Sequence, residues 1–77
     1  MLKMTFAFRT LASDISVTQE RHFALGDAVR PTQVAALQMA QAALELAHKA
    51  RAAGQEDVCE ALVLQGQAAI WLCLPRG

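Results

Sequence analysis

Charge of either sign is scarce in this chain: seven Lys or Arg and seven Asp or Glu side chains leave 77 residues with no formal net charge at pH 7. Such a chain lacks the positive field on which phosphate binding and counterion release depend, which argues against nucleic acid as a partner. It also lacks the repulsion that keeps small domains apart, which favours association. The basic residues Lys3, Arg9, Arg21, Arg30, Lys49, Arg51 and Arg76 are dispersed, and no aromatic residue lies between Lys49 and Arg51. A solvated face accounts for that pair better than a nucleic-acid surface.

Glycine is sparse and isolated. Gly26, Gly54, Gly66 and Gly77 form neither a phosphate loop nor a dinucleotide fingerprint. Serine is confined to Ser13 and Ser16, beside turn-forming residues and not in a nucleophile elbow. Tyrosine is absent, and one Trp and three Phe make up the aromatic content.

The two cysteines, Cys59 and Cys73, read as reduced thiols. On one continuous helix they would stand about 21 Å apart, too far for an intramolecular bridge, although an intermolecular one stays open. With His22 and His48 they lack the paired spacing of a structural zinc site, so no metal is expected. The sharpest enzyme hypothesis sets His48 beside Cys59 across Gly54 in a helical hairpin. It has no third group to orient the imidazole and no oxyanion hole, and a thiol on an inner face is a poor thiolate. The carboxylates Glu56, Asp57 and Glu60 cluster where a helix begins and suit its dipole. The expectation is therefore no enzyme and no cofactor.

Long hydrophobic runs are missing as well. Arg9 breaks the first apolar stretch short of the roughly 7–15 residues of a signal-peptide core. The uncharged run 61–75 falls below the ~18–20 residues of a bilayer span. A cytoplasmic protein without a membrane partner is the default expectation.

What the chain has is apolar content: 55% hydrophobic against 18% charged, which excludes intrinsic disorder. One small domain covering 1–77 is expected, burying roughly 60% of the surface that the unfolded chain exposes. Residues 1–26 read as an antiparallel β-hairpin. Leu2, Met4, Phe6 and Phe8 alternate with Lys3, Thr5, Ala7 and Arg9, Ala12-Ser13-Asp14 supplies turn chemistry, and Ile15, Val17, Phe23 and Leu25 fall in phase. A short helix starting at Ser16 and stopping at Gly26 competes for the second strand. Pro31 suits a first helical turn, and helix formers fill 31–53 until Gly54 stops the run; a second helix follows over 55–73. Two helices joined by so short a loop lie antiparallel. Gly66 leaves open a short C-terminal strand over 69–74, and Pro75 ends either element. The expected class is thus α+β: a β-hairpin packed on an antiparallel helical hairpin.

On the first of these helices, Val34, Leu37 and Leu44 lie on one side of a ridge of Ala36, Ala40, Ala43 and Ala47, and Met39 and Leu46 lie on the other. One neighbouring helix cannot cover so wide an apolar arc. On the second helix, Leu64 and Trp71 fall on the outer side with Glu60 and Gln67. Tryptophan is enriched where proteins bind one another. Leu64, Trp71, Glu60 and Gln67 are therefore the candidate partner-binding residues, in a chain expected to form a homodimer through alanine-rich or Trp71-bearing faces. The functional reading is a non-enzymatic interaction module, a small regulator or inhibitor that blocks a surface of a larger protein. Phage accessory proteins such as anti-CRISPRs offer an analogy of size and class. The rival reading is a small dimeric nucleic-acid-binding regulator presenting Arg9, Arg21 and Arg30.

Overall fold

The computed structural model describes residues 2–73, with side chains described from Phe6 onward. Three helices follow one another: α1 (Leu2–Leu25), α2 (Pro31–Ala52) and α3 (Glu56–Trp71), with a single 3-10 turn over Gly26–Ala28. No strand occurs among the described residues. The expected α+β class is therefore corrected to an all-helical bundle.

The β-hairpin over 1–26 is instead the helix α1. Alternation over residues 2–9 mimics a strand, but a pattern must hold over 11–18 residues to fix its period. Over the longer span, Phe8, Leu11, Ile15, Thr18 and His22 recur at alternating steps of three and four, which places them on one helical face. Phe8, Leu11, Ile15 and Thr18 are all buried. The supposed turn residues Ala12-Ser13-Asp14 lie inside α1 and cause no break. Thr10 Oγ1 donates to the Phe6 carbonyl at 3.0 Å and Thr18 Oγ1 to the Asp14 carbonyl at 2.7 Å, so the hydroxyls are satisfied inside the helix. Ser16 starts nothing, because it lies in mid-helix.

The C-terminal strand is likewise overturned: α3 continues through Gly66 to Trp71, and Leu72 and Cys73 form a turn closed by N–H bonds to the carbonyls of Ala69 and Ile70. Leu74 and Pro75 lie outside the described residues.

The connections follow from local chemistry. Gly26 takes φ +57°, Val29 and Arg30 are extended, and Pro31 opens α2. The Arg30 N–H donates to Gln33 Oε1 at 3.0 Å, closing that end. At the other end α2 stops in a Schellman motif. Gln55 N–H bonds the Ala50 carbonyl at 2.9 Å, Gly54 N–H bonds the Arg51 carbonyl at 3.1 Å, and Gly54 takes φ +77°. The Gln55 carbonyl then accepts from Cys59 N–H to begin α3. Chain reversal in three residues makes α2 and α3 antiparallel.

The α2–α3 seam is built from small side chains. Ala36, Ala40, Ala43, Ala47 and Ala50 face Cys59, Val63, Gly66, Ile70 and Cys73; all ten are buried, and both sets have the 4-3 spacing of a coiled-coil seam. A Cβ on Gly66 would lie 3.4 Å from Ala43 Cβ, and Cys73 Sγ reaches the Gln33 carbonyl at 3.3 Å; together these fix the register. Small side chains such as alanine and glycine are the ones that permit close helix approach. α1 contributes Phe8, Leu11 and Ile15 to the same buried core. Leu11 fits against Gly66, while the Phe8 ring stacks on His48 (centroids 4.6 Å apart) beneath the Arg51 guanidinium. The bundle is elongated, 41 × 19 × 17 Å.

Candidate interaction surface

Helix α3 carries the four residues singled out from sequence. Glu60, Leu64, Gln67 and Trp71 recur at steps of four, three and four, so they form one stripe on α3, in which Leu64 and Trp71 stand about 10.5 Å apart. Leu64 is 58% exposed and Trp71 71%; Glu60 is exposed and Gln67 half-buried. The structure thus gathers all four along one edge of the molecule. The physical reason is the seam itself. Cys59, Val63, Gly66 and Ile70 must point inward to meet the alanines, and a helical turn of 100° per residue then drives Leu64 and Trp71 outward.

A second apolar surface was only half legible. Winding α2 places Leu46 about 200° from His48, the residue that stacks on α1, so Leu46 and Met39 look away from α1. Both are exposed, as are Val58 and Leu72 on the corresponding flank of α3. Leu46, Lys49, Ala50, Ala53, Gln55, Val58 and Leu62 line an open groove along the α2–α3 crossing, with no residue of α1 in its wall. The sequence signal was the placement of Met39 and Leu46 on the far side of the alanine ridge. The alanine ridge itself is spent within the subunit, covered by α3, and offers nothing to a second chain.

The chemical candidates fall apart in space. His48 is exposed and stacks against Phe8, whereas Cys59 is sealed in the seam. Cys73 is sealed too, and burial pushes its thiol above the ordinary value of 9.0. No group of three His, Cys, Asp or Glu among the described residues could hold a metal ion. His22 Nε2 is enclosed at the edge of the core without a hydrogen-bond partner among the described residues. No helix among them is long and apolar enough to cross a membrane.

No family model, curated protein or solved structure matches the chain.

Proposed function

We propose that the chain is a non-enzymatic interaction module, a small regulator or inhibitor that acts as a homodimer and occupies a surface of a larger protein through the Glu60–Leu64–Gln67–Trp71 stripe. One observation carries the reading: the only tryptophan stands 71% exposed one heptad from an exposed leucine, on a helix whose Cys59–Val63–Gly66–Ile70 side is buried. An isolated domain gains nothing from exposing an indole, whereas a partner that buries it gains the area of the largest side chain. Leu64 and Trp71 at i and i+7 match the spacing with which an amphipathic helix enters an apolar groove. Glu60 and Gln67 between them supply a polar rim.

The test is capture from the source cells with the tagged full chain, followed by titration of the purified partner. Trp71→Ala and Leu64→Asp are expected to weaken binding at least tenfold, with helix content by circular dichroism unchanged. A partner held equally well by the double variant would refute the stripe as the docking surface.

A further inference from the structure

We infer that the protein surface receiving the α3 stripe is a basic one: an apolar pocket for Trp71 and Leu64, with Lys or Arg side chains at its far end. The inference rests on the stripe proposed above as the docking surface and assigns the chemistry of its partner. The series Leu64–Gln67–Trp71 continues toward the start of α3 through Glu60 to Asp57 at the same steps of three and four. The stripe therefore runs about 21 Å from Asp57 to Trp71. Its two ends differ. Leu64 and Trp71 make one end apolar, whereas Asp57 and Glu60, with Glu56 beside them, make the other end acidic; all five are exposed.

The balanced charge of the whole chain hides a helix of one sign. Lys and Arg against Asp and Glu number three to two in α1 and two to one in α2, but none to three in α3. The helix dipole accounts for Glu56 and Asp57 in the first turn. Its effect fades beyond that turn, and Glu60 is the fifth residue of α3. Glu60 also stands four residues after Glu56, a like-charge pair that destabilises a helix. No cation among the described residues pairs with either carboxylate. A partner that sets Lys or Arg against them removes that repulsion, a gain available only in the complex. The same charge repels phosphate, which sets nucleic acids and anionic membranes aside as occupants of the stripe.

Two tryptophan-free amphipathic helical peptides with one and the same leucine face test the assignment, one bearing lysine and the other glutamate at its polar positions. Calorimetric titration into the full chain reads binding, Trp71 emission reads whether the indole is covered, and circular dichroism is the folding control. At low salt the lysine peptide is expected to bind at least tenfold more tightly than the glutamate peptide and to shift Trp71 emission to shorter wavelength. Glu60→Lys should cost it at least tenfold in affinity, and so should Trp71→Ala. Equal binding of the two peptides, with the emission still shifted, would overturn the basic partner and leave the stripe as a docking surface. A lysine peptide that holds Trp71→Ala as tightly as wild type would overturn the stripe itself. No binding of that peptide up to about 100 µM would overturn the assignment. So would Trp71 emission that shifts when the chain alone is concentrated, since a second copy would then occupy the stripe. Should Glu60→Lys lose helix content, Glu60→Gln repeats the test: undiminished binding counts against the basic partner, and weakened binding supports it.

Discussion

Leu11 occupies the space where a side chain at position 66 would begin: a Cβ on Gly66 would lie 2.7 Å from Leu11 Cδ2. This contact packs α1 against the hairpin, with Leu11 fully buried. Gly66 accepts the roughly 1 kcal/mol penalty of glycine within a helix in exchange for letting a leucine and an alanine reach its backbone.

Gly66→Val should therefore destabilise the fold by about 2–3 kcal/mol, the upper range of overpacking. Gly66→Ala should cost less, since better helix propensity offsets part of the clash. Leu11→Ala should cost about 2–5 kcal/mol as a core truncation. Urea titration of the three variants checks the order, and a double-mutant cycle should show that Leu11→Ala relieves Gly66→Val. Additive losses would mean that the two positions do not share one space.

The alanine seam tolerates nothing larger. Ala40 is completely buried, and Ala40→Leu should cost about 1–3 kcal/mol by forcing α2 and α3 apart. Leu37, buried at the α2 flank, should lose about 2–5 kcal/mol on truncation to Ala, a large share of the stability of a small domain. Thermal unfolding of both variants reads these losses; an Ala40→Leu variant as stable as wild type would show that the helices are not closely apposed.

Trp71→Ala should change stability by no more than about 0.5 kcal/mol, as an exposed substitution away from the core does. The indole emission of the wild type alone should be that of a hydrated ring. Loss of folding in this variant would put Trp71 in the core.

The Cys73 thiol gives the fold a pH dependence of known sign. Its Sγ donates to the Gln33 carbonyl at 3.3 Å, and burial raises its pKa above 9.0. In the unfolded chain the thiol releases its proton near pH 9, while the folded chain retains it, so stability is fully present below that pH and falls as pH rises. Denaturant midpoints from pH 7.5 to 10 should decline less steeply in Cys73→Ala than in wild type. Parallel declines would mean that the thiol titrates alike in both states.

How much of this was legible in the sequence depended on which periods compete. In α2 and in α3 up to Gly66 the alanines, Gly54 and the inward Cys59–Val63–Gly66 set favour the helical period, so the hairpin follows from residue spacing. The outward Trp71 depends on the helix continuing past Gly66, where a strand over 69–74 stayed open. In α1 two periods coexist. Leu2, Met4, Phe6 and Phe8 alternate as a strand would, and the competing helical series runs through Thr18 and His22, polar residues that a hydrophobic pattern discounts. Thr18 nonetheless packs in the core, because its hydroxyl is satisfied by the Asp14 carbonyl one turn back. The open face around Leu46 was partly legible, but only the position of α1 against His48 and Arg51 shows which side of the hairpin stays bare.

Sedimentation equilibrium of the purified chain bears most directly on the claim that this subunit displays more apolar helix surface than it can cover. A mass of twice 8.3 kDa is the expected result. A well-folded monomer at 100 µM would contradict it.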